Sequence, residues 1–98
     1  MSNFEKNIID LGEVLEKTTI KADFKVVSNR DIIKVETSCG CTPATFNKKN
    51  VIISYRTGYI PVHLQSIGKS EIAKFADVFF NDLTSERIYL KATLIKRI

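Results

Sequence analysis

Every second residue of Thr19-Ile20-Lys21-Ala22-Asp23-Phe24-Lys25-Val26 is apolar, and this period of two constrains the fold more than any other feature of the chain. Successive side chains of a β-strand point to opposite faces, so Ile20, Ala22, Phe24 and Val26 fall on one face and Lys21, Asp23 and Lys25 on the other. The same alternation turns Ile33 and Val35 inward and Lys34 and Glu36 outward. It recurs at Val51, Ile53 and Tyr55, at Ala76, Val78 and Phe80, and at Ile88, Leu90, Ala92 and Leu94. A weaker pattern over residues 4–9 adds an N-terminal strand. Ile60, Val62 and Leu64 suggest a further short strand, and Pro61, which has no N–H for a ladder, puts it at an edge or a bulge.

Turn-forming clusters separate these runs: Leu11-Gly12, Ser28-Asn29-Arg30-Asp31, Asn47-Lys48-Lys49-Asn50, Thr57-Gly58, Ile67-Gly68-Lys69-Ser70 and Asn81-Asp82-Leu83-Thr84. Glu13-Val14-Leu15-Glu16-Lys17 could wind for one turn, and no window carries a longer helical period. Short strands spaced by roughly ten residues predict an all-β, Ig-like β-sandwich of about seven to eight mostly antiparallel strands. With 98 residues, one such domain over 1–98 is the expected organisation.

Composition narrows the function classes. A hydrophobic fraction of 44% with 27% charged residues suits a packed globular domain. No apolar run approaches the ~18 residues of a membrane-spanning helix. The start Met1-Ser2-Asn3-Phe4-Glu5-Lys6-Asn7 lacks the basic, apolar and small-residue regions of a secretory leader, so the expected location is a virion or the cytoplasm, with no membrane partner. The net charge of +4 is spread singly, with Lys48-Lys49 and Lys96-Arg97 the only basic doublets. That is no phosphate-tracking stripe, and nucleic acid is not an expected partner.

Both cysteines lie in Ser38-Cys39-Gly40-Cys41-Thr42-Pro43, directly after the strand that ends at Thr37. Three readings of this segment compete. As half of a zinc site it is poorly supplied, since His63 is the only histidine and the Cys-X-Cys gap is shorter than the usual ligand spacing; no metal and no cofactor are expected. As a redox pair it lacks the helix N-terminus that stabilises a thiolate, although Gly40 could close a strained and reducible bond. As a structural corner it is well composed: Cys39 and Cys41 are small and apolar, Gly40 is conformationally free, and Thr42 can bond the main chain before Pro43. The corner is the first reading and the thiol site its alternative. Hydrolysis has no frame here, because His63 would be the only histidine base and no nucleophile elbow or Gly-rich phosphate loop is present.

At this motif the chain resembles a bacterial family of unknown function marked by a strand followed by Ser-Cys-Gly-Cys-Thr. Ile9-Asp10-Leu11-Gly12-Glu13-Val14 is similar to the family's opening, the segment from Phe24 to Asn29 to its second strand and Asn turn, and Val78-Phe79-Phe80-Asn81-Asp82 with Ile88-Tyr89-Leu90-Lys91-Ala92 to its closing hairpin. The chain departs from the family where Asn47-Lys48-Lys49-Asn50 runs straight into Val51 in place of a Pro-Gly-Glu-like turn, and in having no secretory leader. The resemblance implies the Ig-like sandwich of major sperm protein and Hydin-type domains, and it implies no catalytic residues.

The expected function is therefore contact without catalysis: a small accessory subunit of a larger assembly, such as the capsid decoration or head–tail protein of a phage virion. Its partners would be proteins, with no small-molecule substrate. Candidate interface residues are Tyr59, Pro61, Phe79 and Tyr89. A thiol-redox or metal-handling protein built on Cys39-Gly40-Cys41 is the alternative.

Overall fold

The computed structural model describes residues 3–38, 42–60, 63 and 66–96. Seven strands form in chain order: β1 (Ile8–Leu15), β2 (Thr19–Lys25), β3 (Ile32–Thr37), β4 (Ala44–Phe46), β5 (Asn50–Arg56), β6 (Lys69–Phe80) and β7 (Ser85–Ile95). They make two sheets, β1-β7-β6-β3 and β2-β5-β4. No α-helix occurs among the described residues. Pairing is antiparallel except between β1 and β7.

The alternating residues explain why two sheets are needed. Ile20, Ala22, Phe24, Val51 and Ile53 of one sheet face Ile32, Ala76, Val78, Phe80, Ile88, Leu90 and Ala92 of the other, and all are buried. Each sheet has one apolar face, and each face is removed from water only by the other. The strand order is that of an Ig sandwich in which the first strand has left the sheet of the second and joined the last.

That first strand is divided between the sheets. Residues 3–5 run antiparallel beside the end of β2 through a Phe4–Val26 bridge, with Glu5 N–H donating to Lys25 O (2.9 Å) and Val27 N–H to Asn3 O (2.8 Å). The chain then crosses to β7 as β1. Phe4 holds the crossing in place, its ring edge-on to Phe24 at 6.4 Å and tilted against Phe80 at 6.0 Å.

Several expected elements differ. The first regular strand occupies Ile8–Leu15, not residues 4–9, because the start of the earlier run meets the β2 edge only through the isolated Phe4–Val26 bridge. Leu11-Gly12 is not a turn: it is an irregularity inside β1, where the register to β7 slips between Asp10 and Glu13. Gly12 takes φ +71° there and donates its N–H to Asp10 Oδ1 at 2.8 Å. Val14 and Leu15, expected as one helical turn, are therefore extended.

Ile33 is the clearest correction. The register against β6 slips between Ile32 and Lys34, so Ile32 and Val35 turn inward while Ile33 stands 55% exposed. One extra residue shifts the phase of an alternating strand, and both neighbours of the slip stay correctly oriented.

The strand expected over residues 59–64 is also absent where it is described: Tyr59 and Ile60 belong to no strand. Pro61, Val62 and Leu64 lie outside the described residues. What holds this loop is polar. Thr57 is buried, accepts from Thr18 N–H at 2.7 Å and donates to Thr18 O at 2.9 Å, while Lys17 N–H reaches Gly58 O at 3.2 Å. Ile60 is buried, and its N–H donates to Glu16 Oε2 at 3.0 Å.

Candidate functional site

The solvent face of the four-stranded sheet carries the concentration of outward aromatic side chains. Register explains how it forms. Ile8 lies opposite Tyr89, and Tyr89 opposite Phe75, so three apolar side chains stand in one row across β1, β7 and β6. Phe75 and Tyr89 meet at 6.3 Å between ring centroids, a tilted contact of neighbouring strands. Ile8 remains 49% exposed at the end of the row.

Charges frame the row. Arg87 donates to both carboxylate oxygens of Asp77, at 2.8 and 3.2 Å, and lays its guanidinium over the Phe75 ring at 4.0 Å. The hydrogen bonds from Arg87 hold the Asp77 carboxyl below the usual carboxylate range, against the opposing effect of burial. Phe79 lies two residues further along β6, with Lys34 of β3 at 5.7 Å from its ring and paired to Glu36 at 2.8 Å. On the other side, Lys69 meets Glu13 at 2.9 Å, and the Glu13 carboxylate raises the pKa of Lys69. Between these lies a shallow depression of about 340 Å³, lined by Asp10, Glu71, Ala73, Lys91 and Thr93 and opened by the small side chain of Ala73.

Such a face is suited to binding a surface. Its ion pairs are exposed and mutually neutralised, and exposed pairs contribute only about 0–1 kcal/mol each. Its aromatics present stiff apolar area at a low cost in side-chain entropy.

The interface residues singled out in the sequence divide between two places. Phe79 and Tyr89 share this face. Tyr59 is 67% exposed near the β1–β2 turn, with Lys17 Nζ on its hydroxyl at 2.8 Å and 4.5 Å from its ring centroid. Pro61 lies outside the described residues. Phase alone could have found Phe75 and Arg87, since both alternate outward in step with Phe79 and Tyr89; Ile8 needed the parallel β1–β7 register.

Cys39, Gly40 and Cys41 also lie outside the described residues. Thr42, the last of that group, is fully buried. Around it the chain passes from one sheet to the other, because β3 belongs to the four-stranded sheet and β4 to the three-stranded one. Ser38 N–H still donates to Phe75 O (2.9 Å), and Pro43 O already accepts from Ser54 N–H (2.9 Å). His63 is exposed. No group of three or more His, Cys, Asp or Glu that could hold a metal ion occurs among the described residues. No helix long and apolar enough to cross a membrane occurs among the described residues.

Fold and surface together define an Ig-like β-sandwich with an outward aromatic face. The chain belongs to the family described as "Protein of unknown function (DUF1573)", whose model matches residues 2–94. No curated protein and no solved structure matched the chain.

Proposed function

We propose that this chain is a non-enzymatic interaction module, an accessory subunit that binds a protein partner through the outer face of the β1-β7-β6-β3 sheet. The observation that carries the reading is the ordered row Ile8–Tyr89–Phe75, flanked by Arg87 and Phe79, on a sheet face that no other strand covers among the described residues. A virion shell is the setting in which we place such a subunit. In the same reading Cys39-Gly40-Cys41-Thr42 is the mark of the family and the corner between the sheets.

The test is size-exclusion chromatography of the chain in lysate or particles of its source. Elution in a complex larger than a dimer, abolished by Tyr89→Glu but kept by Tyr59→Ala, is the expected result. A wild-type chain that elutes free, or a complex indifferent to Tyr89→Glu, would overturn the reading. Thiol alkylation before and after reduction decides the alternative: a reducible Cys39–Cys41 bond in the native protein would transfer the function to thiol exchange.

A further inference from the structure

Along the sequence the basic residues are spread singly, but strand alternation sorts them by face. Lys21 and Lys25 of β2 and Arg56 of β5 fall on the outer face of the β2-β5-β4 sheet, opposite in phase to the buried Ile20, Phe24, Val51 and Ile53. All three are exposed. Lys17 stands exposed in the turn before β2 and Lys48 in the turn after β4, so cations continue beyond both ends of the face. Asp23 is the carboxylate of this face among the described residues, and its Oδ1 accepts from Asn50 Nδ2 at 3.1 Å.

The two outer faces differ in how their cations are met. On the four-stranded sheet Lys34 pairs with Glu36 at 2.8 Å, Lys69 with Glu13 at 2.9 Å and Arg87 with Asp77 at 2.8 Å. On the three-stranded sheet none of Lys21, Lys25 and Arg56 forms an ion pair among the described residues. Arg56 Nη1 donates instead to the Thr19 hydroxyl, at 3.5 Å. Positive charge is therefore left unneutralised on one sheet face, and such a face draws in a polyanion.

We propose that this face binds single-stranded nucleic acid, with Arg56, Lys21 and Lys25 on the phosphates and Tyr59 stacked on a base. Arg56, which lies opposite Thr19, and Lys21 stand about 7 Å apart along β2, and Lys25 about 13 Å further on, so the cations follow a backbone for roughly 20 Å. Ser54, opposite Lys21, and Asn50, opposite Lys25, add neutral donors of the kind that position phosphates. Tyr59 is 67% exposed beyond the Arg56 end of the face, with Lys17 Nζ 4.5 Å from its ring centroid. A basic track with an exposed aromatic ring is how proteins hold single strands without reading their sequence.

A duplex fits less well, because its major groove admits a helix or a two-stranded ribbon and not the flat face of a three-stranded sheet. An acidic polypeptide has the right charge but offers Tyr59 no base to stack on. The proposal goes beyond the protein-binding reading above and uses the opposite face of the sandwich, so either can fail alone.

The experiment is fluorescence anisotropy of a labelled DNA single strand of about 15 nucleotides, titrated with the full chain between about 50 and 200 mM salt. Binding tighter than about 10⁻⁴ M is expected at the lower salt. Log K should fall against log salt with a slope of about −2, since each of three neutralised phosphates contributes about −0.7. Lys21→Ala/Arg56→Ala should reduce the slope to about −0.7. Tyr59→Ala should weaken binding about fivefold or more and leave the slope unchanged. All three side chains are exposed, and circular dichroism verifies that each variant is folded. No binding at the lower salt, a slope that the double variant keeps, or an unweakened Tyr59→Ala would each overturn the proposal. Displacement of the strand by polyglutamate as readily as by unlabelled DNA would overturn it too, and would make the face a seat for acidic protein.

Discussion

Leu83 shows how one residue can hold strain that packing does not relieve. It sits at φ 68° in the turn between β6 and β7, and its side chain is 92% exposed. An L-residue with a full side chain is disfavoured in this region by about 1–2 kcal/mol, whereas asparagine tolerates it. The turn forms because Phe80 N–H donates to Thr84 O (2.9 Å), Leu83 N–H to Phe80 O (3.1 Å), and Asp82 Oδ1 accepts from Thr84 N–H (3.2 Å). Leu83→Asn keeps all of these and loses no buried contact. Thermal unfolding should show a gain of about 1 kcal/mol, or roughly 4–8 °C in Tm for a domain of this size. An unchanged or lower Tm would mean that the turn carries no such strain. Gly12 is the complementary case: it has a positive φ, but in a residue type that accepts it, with open space around the position of a Cβ.

At the scale of elements, the two slips decide which side chains enter the core. A strand without a slip would bury Ile33 and expose Ile32. The structure does the reverse, with Ile32 opposite Phe80 and buried. Ile32→Ala should therefore cost about 2–5 kcal/mol through the cavity it leaves. Ile33→Ala should fall within about 0.5 kcal/mol of wild type, as surface substitutions do. Urea unfolding of both variants checks the phase of β3, and comparable losses would restore the unslipped register. Most of the remaining core was legible in the sequence, because β2, β5, β6 and β7 alternate with no extra residue of their own; both slips add theirs to β1 and β3. The face holding Phe79 and Tyr89 was legible in the same way. Ile8 was not, since the segment that carries it pairs with a strand some 80 residues away.

For the whole molecule, the loops at one end are tied by charge rather than apolar burial. Arg30 donates through Nη1 to Asn3 Oδ1 (2.7 Å) and through Nε to Asp82. Asn3 donates to Glu86 Oε1 through N–H (2.8 Å) and Nδ2 (3.1 Å), while Lys49 reaches Arg30 O (2.7 Å) and Asp31 Oδ1 (3.1 Å). This joins the N-terminal segment, the β2–β3 loop and the β6–β7 turn. The hydrogen bond from the Thr84 hydroxyl, with that from Arg30, lowers the Asp82 pKa from an ordinary 3.8 to about 2. A carboxyl depressed on folding stabilises the native state above its unfolded pKa and loses that contribution as pH falls through the folded value. Asp77 acts in the same direction through Arg87. Tm followed by circular dichroism should therefore fall as the pH drops from about 4 to about 2, and Asp82→Asn should flatten that slope. An equal slope in the variant would place the acid sensitivity elsewhere.

The sequence alone determined β2, β5, β6 and β7, the face that each of them presents and the need for two sheets. Those follow from a local period of two and from apolar faces that only another sheet can cover. Tertiary structure decided the rest: the division of the first strand between two sheets, the parallel β1–β7 pairing, the slips at Gly12 and Ile33, and the buried polar contacts of Glu16 and Thr57 that hold residues 57–60 without a strand. The physical reason is range. Alternation reports a residue's orientation relative to its immediate neighbours, whereas a pairing or a slip is chosen by backbone groups brought together from far along the chain.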